Sequence, residues 1–130
     1  MLLDTTFLID AERAKSALDS IIEDDDDVAI AAITIAELRV CVELSKGKTR
    51  RSRQDFLDDV ISVIPILNYD LLVAQAHAKL MAAVRHQGRA RGAHDLIIAA
   101  TALASDRSVI TADQTAFAEL PGLSSHVYLR

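Results

Sequence analysis

The stretch His94-Asp95-Leu96-Ile97-Ile98-Ala99-Ala100-Thr101-Ala102-Leu103-Ala104 decides how this chain folds. One acid opens a run that is almost wholly apolar, too long for an ordinary strand and well short of the roughly 20 residues that span a bilayer. Such a run reads as a helix buried nearly all round, which needs cover on several sides. Short apolar stretches at 1–3, 28–31, 63–66, 108–111 and 126–129 read as strands, with Pro65 keeping the third near an edge because proline cannot donate to a central ladder. Helical patterns lie between them. One follows Asp4, and one runs from about 34 to 45, where Thr34-x-x-Glu37 has the form of a capping box. Residues 50–61 place Phe56, Leu57, Val60 and Ile61 on one side, and 70–87 repeats Val73, Ala76, Leu80, Met81 and Val84 at helical spacing. A short helix is expected over 114–120. Strands alternating with helices predict an α/β fold, a mostly parallel sheet with helices on both faces, in one domain over residues 1–130.

Four acids fall at the same structural place in this pattern. Asp4 follows the first strand, Glu37 lies early in the helix after the second, Asp95 opens the buried helix, and Asp113 comes just after the 108–111 strand. In an open α/β sheet the carboxyl ends of parallel strands share one edge, where ligands bind. Each acid taken alone has an ordinary reading as a helix cap or dipole partner. The surroundings argue for more, because Asp4 and Asp95 adjoin core sequence and no Lys or Arg neighbours Asp4 or Asp113. Unpaired carboxylates near a core are costly, and a divalent cation can hold such a group together. All-oxygen donors select Mg²⁺ or Mn²⁺ rather than zinc, the usual setting for phosphate chemistry.

The formal net charge of −5 at first argues against a nucleic-acid partner. Yet five of the 19 acids form the run 23–27, expected to be a solvated turn, and four more belong to the proposed site; what remains is 10 acids against 14 Lys and Arg. Eight of those bases sit in 46–53 and 85–91. Arg50, Arg51 and Arg53 from the first stretch, and Arg89 and Arg91 from the second, are candidate phosphate contacts, although charge runs are commonly just solvated. Five aromatics are too few for base stacking to carry recognition, which favours structured RNA read by shape. A single cysteine, Cys41, excludes an intrachain disulfide and points to a cytoplasmic setting. No apolar run predicts a membrane span.

With these residues in hand, the chain resembles the PIN-domain family, and closely the VapC toxins of bacterial toxin–antitoxin pairs. The resemblance rests on Asp4-Thr5-Thr6-Phe7-Leu8-Ile9, Ile33-Thr34-Ile35-Ala36-Glu37-Leu38, the stretch 93–104, and Val109-Ile110-Thr111-Ala112-Asp113 followed by Phe117 and Leu120-Pro121-Gly122-Leu123. It implies a three-layer PIN-like sandwich with five strands in the order 3-2-1-4-5. It also implies a metal-dependent endoribonuclease acting on RNA, structured tRNA or rRNA being the expected target, with inhibition of translation as the outcome. Asp4, Glu37, Asp95 and Asp113 would be the catalytic and metal-binding residues, in a homodimer neutralised by a cognate VapB-type antitoxin. Antitoxins of this kind commonly block the site with a short C-terminal segment, often through a basic residue.

Some family members carry a further acid or Asn two residues past the last Asp; here that position is Thr115, which puts a second metal in doubt. Thr6 and Thr111 are candidates for contact with substrate phosphate or metal-bound water, against a plainer role as hydroxyls at the core's edge. His77 reads as a core-edge histidine, and His94 beside Asp95 is weak evidence for substrate contact. A phosphate-receiver domain would need an acidic pair after the first strand and a late Lys, but Thr5 follows Asp4 and the last Lys is Lys79. An aspartyl phosphatase would want Asp-x-Asp, and Thr6 stands in the second place. The alternative that remains is a non-catalytic PIN-like interaction module, which would be expected to have lost one or more of the four acids.

Overall fold

Why two leucines before Asp4 suffice for a strand is visible in where their side chains go. The computed structural model describes residues 1–14 and 27–127. Strand β1 (Leu2–Leu3) sends Leu2 into one core cluster and Leu3 into another, because successive side chains of a strand point to opposite faces. Strand β2 (Ile30–Ala31) does the same, with Ile30 on Leu3's side and Ala31 on Leu2's. A strand buried on both faces has no polar position, which is why these strands read as short apolar runs.

Helices α1 (Thr5–Arg13), α2 (Ala32–Glu43) and α3 (Gly47–Val63) cover one face through Phe7, Leu8, Leu38, Val42, Leu57 and Val60. Helices α4 (Leu71–Gln87) and α5 (Ala93–Ala104) cover the other through residues such as Val73, Leu80, Val84, Leu96 and Ile98. In α5 Leu96, Ile98, Ala99, Ala100, Thr101 and Ala102 are all buried, as its sequence requires. Asp70 caps α4, its side chain accepting from Val73 N at 3.0 Å, and Gly88 ends that helix in the left-handed region at φ 68°.

The strands, including β3 (Ile66–Leu67), β4 (Val109–Thr111) and β5 (Ser125–Val127), pair in parallel throughout. They form two ladders, β1-β4-β5 and β2-β3. An isolated parallel bridge between Leu2 and Ala29 links β1 to the segment leading into β2, so the expected single ladder in the order 3-2-1-4-5 is interrupted at β1–β2. Strands of two or three residues make so few bonds that one bridge can be all that joins neighbours.

Several local expectations are corrected. Helix α2 begins at Ala32, two residues before the anticipated cap, so Thr34 is a fully buried interior residue and Glu37 stands beyond the first turn. Residues 114–120 form turns rather than a helix, with Ala116, Phe117 and Leu120 buried. Ile61, Val63 and Met81 are exposed, and the third strand starts at Ile66 because α3 continues through Val63. Of the acidic run 23–27 only Asp27 lies within the described residues, and of the last strand's 126–129 only His126 and Val127 do. No helix among the described residues is long and apolar enough to cross a membrane.

Candidate carboxylate site

Asp4 ends β1 and precedes α1, and its backbone N–H donates to Ile110 O at 2.8 Å, which docks it beside β4. Its side chain makes no cap bond to α1 and is only 1% exposed. Two hydroxyls hold it instead: Thr6 Oγ1 donates to Asp4 Oδ2 at 2.7 Å and Thr111 Oγ1 to the same oxygen at 2.8 Å. Thr6 and Thr111 are themselves 3.1 Å apart, so strand β4 and helix α1 are pinned at one point. Both hydroxyls are thereby spent on orienting a buried carboxylate. That supplies the hydrogen bonds a buried charge requires.

Glu37 is reached from α1 as well. Thr5 Oγ1 donates to Glu37 Oε1 at 2.7 Å and also lies 3.3 Å from Thr34 Oγ1. From the other side His94 Nδ1, on α5, stands 3.5 Å from Glu37 Oε2. Thr5 and Thr34 are therefore site residues that sequence reasoning missed. The signal was the doubled threonine after Asp4, whose consecutive positions on a helix serve two different carboxylates.

Asp113 sits in the turn after β4. Its Oδ1 accepts from Thr115 N at 2.9 Å, Thr115 Oγ1 at 3.1 Å and Ala116 N at 3.2 Å. These bonds, the backbone one from Thr115 foremost, hold its carboxyl below the usual range. Asp95, in the first turn of α5, receives no such donors among the described residues. Its pKa is pushed up to about 6, first by burial and then by the charges of Asp4, Glu37 and Asp113, with His94 opposing. The four acids thus share one electrostatic field although 109 positions separate Asp4 from Asp113 in the sequence.

Gly92 is the other residue that the sequence did not single out. A Cβ there would stand 2.8 Å from Asp95 Oδ2, so any side chain at this position would push that carboxylate aside. Beside it a cavity of about 300 Å³ is lined by Arg89, Arg91, Gly92, Asp95, Asp113 and Thr115. Among the described residues, no three of the acids stand together as a ready-made metal cage. The donor set still suits a hard cation that keeps most of its waters and takes only one or two carboxylates directly, as Mg²⁺ does, and a positive charge would relieve the field that lifts Asp95.

The basic residues divide. Arg89 and Arg91 line the acid cavity, although Arg89 pairs with Glu119 and Arg91 donates to backbone carbonyls. Arg53 lines a different cavity with Cys41 and Phe56, and donates to Cys41 O and Ser45 Oγ near the end of α2. Arg50 pairs with Glu43 at 3.5 Å, and Arg51 is exposed.

Comparison with known proteins places the fold in a family. The PIN domain family model matches residues 1–123. Ribonuclease VapC of Rickettsia bellii is 27% identical over 124 residues, spanning 95% of this chain and 92% of that protein. Toxin FitB of Neisseria gonorrhoeae is 34% identical over 129 residues, with 90% of each chain covered. The structure of VapBC-5, a member of the VapBC family of toxin-antitoxin systems from Mycobacterium tuberculosis, superposes with a TM-score of 0.77 at 32% identity, covering 99% of this chain and 97% of that one. With the family model matched over residues 1–123 and a relative 34% identical over 90% of each chain, the chain belongs to the PIN-domain family.

Proposed function

We propose that this chain is a Mg²⁺- or Mn²⁺-dependent endoribonuclease, one nuclease domain over residues 1–130, acting as the toxin of a pair and restrained by a VapB-type antitoxin. The observation that carries the reading is the convergence of Asp4, Glu37, Asp95 and Asp113, registered in the field that lifts Asp95. The relatives named ribonuclease VapC and toxin FitB, and the VapBC likeness, support the RNA substrate and the antitoxin partner. Homodimerisation and a structured tRNA or rRNA target, cut so as to inhibit translation, belong to the same reading.

In this mechanism one or two of the four carboxylates would hold the cation directly and the others would reach it through its waters. When bound, a divalent ion lowers the pKa of a water and stabilises charge during in-line displacement at phosphorus. The chain's own residues do the positioning. Asp4 cannot swing, because Thr6 and Thr111 both donate to its Oδ2. Glu37 is set by Thr5, and Asp113 by the amides of Thr115 and Ala116. Asp95, to which none of the described residues donates, is the carboxylate able to turn toward an attacking water and take its proton. Arg89 gives the cavity a positive rim along which a phosphodiester backbone can lie, whereas the Arg91 guanidinium is turned to backbone carbonyls. Arg50 and Arg51 offer a second strip on α3, while Arg53 is largely committed to the end of α2.

The test is cleavage of total cellular RNA by purified, antitoxin-free protein in Mg²⁺ or Mn²⁺, with sequencing of new ends. Discrete ends that vanish with chelator and in Asp4→Asn are expected. A folded protein that binds metal yet cuts nothing in either would favour an interaction module instead.

A further inference from the structure

The loop joining α4 to α5 is fastened across the acid cavity to the turn after β4. Gln87 Nε2 donates to Glu119 O at 3.1 Å, Arg89 pairs with the Glu119 carboxylate, and Arg91 Nη2 donates to Ala118 O at 2.8 Å. Arg91 also donates through Nη1 to Arg89 O at 3.2 Å and Ala90 O at 3.4 Å, so one guanidinium bridges carbonyls of both segments. Asp95 follows the loop side of this clasp and Asp113 opens the turn side, with the cavity between them. Glu119 holds φ 63°, a region that few residues other than glycine occupy, and the two carbonyls flanking that position are those that receive Arg91 and Gln87.

We propose that Arg91 is a positioning residue, which locks the 89–92 loop to the 113–119 turn and so sets the spacing between Asp95 and Asp113. The three straps are not equal. Arg89 and Glu119 are 54% and 68% exposed, and an exposed ion pair contributes little. Arg91 is partly buried and binds backbone carbonyls, so pH cannot remove its acceptors. Phe117 and Leu120 anchor the turn in the core, and Asp113's own bonds shape it. Asp113's bonds stay within its own turn. A planar fork suits carbonyls in two directions, whereas a lysine ammonium is a point charge on a flexible stem.

The effect on catalysis rests on the nuclease reading; the mechanical claim does not. Arg91→Lys and Arg91→Ala would be compared with wild type by amide hydrogen exchange at Thr115 and Ala116, by Mn²⁺ titration calorimetry, and by kcat and KM on RNA. Both variants are expected to exchange several-fold faster at those amides, bind Mn²⁺ roughly tenfold more weakly, and lose kcat roughly tenfold at unchanged KM. Full rescue by lysine would overturn the proposal by making charge the cause. A raised KM with kcat and exchange unchanged would also overturn it, making Arg91 a substrate contact. If wild type cuts no RNA, the nuclease reading falls while exchange and Mn²⁺ binding still judge the clasp; if it binds no Mn²⁺, exchange judges it alone. Should Arg91 variants not fold, Gln87→Ala with Arg89→Ala removes the other straps. Exchange and Mn²⁺ affinity within about twofold of wild type would then leave Arg91 as the holding contact, and a roughly tenfold loss would overturn its primacy.

Discussion

Asp95 and Asp113 line the same cavity, each next to a turn, yet their surroundings push them in opposite directions. Asp113 gives Oδ1 to three donors of its own turn and is held below the ordinary carboxylate range. Asp95 has the helix N-terminus to itself but makes no cap bond, the cap position being Gly92, and is pushed up to about 6. The capping reading thus fails for Asp95, while Asp113 caps a turn rather than a helix. One carboxylate serves its own backbone first. The other has nothing to serve except what enters the cavity.

The largest expected effect is on activity. Asp95→Asn should lower kcat for RNA cleavage by on the order of a hundredfold or more, since it removes a charge aimed at the reacting centre. Loss of less than about threefold would erase the contrast between the two acids.

Next comes Gly92→Ala. It leaves Asp113 untouched but puts a methyl 2.8 Å from Asp95 Oδ2 as now placed. Displacing that carboxylate should weaken Mn²⁺ about tenfold in calorimetry. Unchanged affinity would show that Asp95's exact placement does not matter.

The third prediction separates the acids by pH in metal-free protein. Asp95 titrates near 6 folded and near 3.8 unfolded, so its contribution to stability is present below about 3.8 and is lost as pH rises through 6. At this partly exposed site the loss should be on the order of 1 kcal/mol after solvent screening. Asp113 runs the other way, its contribution being present at neutral pH and lost as pH falls through its lowered pKa. Urea denaturation with chelator should show the fall between about pH 4 and 6 in wild type, and a flatter profile in Asp95→Asn. An unchanged slope in that variant would assign the effect to another group.

The smallest effect is Thr115→Ala, which removes a hydroxyl donor from Asp113 and should cost about 0.5–1 kcal/mol by thermal denaturation, with Asp95's titration unmoved. A shift in Asp95 instead would mean that the two acids are mechanically coupled more tightly than their hydrogen bonds indicate.

The two basic stretches carry a second lesson about reading charge. Arg50, Arg51 and Arg53 form the denser run in sequence, yet Arg53 spends its guanidinium on Cys41 O and Ser45 Oγ and lines a cavity apart from the acids. The sparser Arg89 and Arg91 stand at the carboxylate cavity. Density along the chain is a poor guide because a helix carries consecutive arginines to different sides.

The sequence by itself determined the elements whose periodicity is strong: the buried 93–104 run, the amphipathic 71–87 helix, and strands apolar enough to be covered on both faces. It also put Asp4, Glu37 and Asp113 close after strands and Asp95 at the start of a buried helix, the pattern from which the proposed site was read. What it left to the tertiary structure were contacts between segments far apart in the chain. The start of α2 was one, since Thr34 looked like a cap until Thr5, 29 positions away, gave it a buried partner. Gly92 was another, for the contact a side chain there would make is with a carboxylate that only the fold lays over it. The join between β1 and β2 was a third, resting on one bridge that no residue pattern announces. Local pattern records which face of an element is apolar. Which polar groups meet across the resulting crevice is settled only when the layers pack.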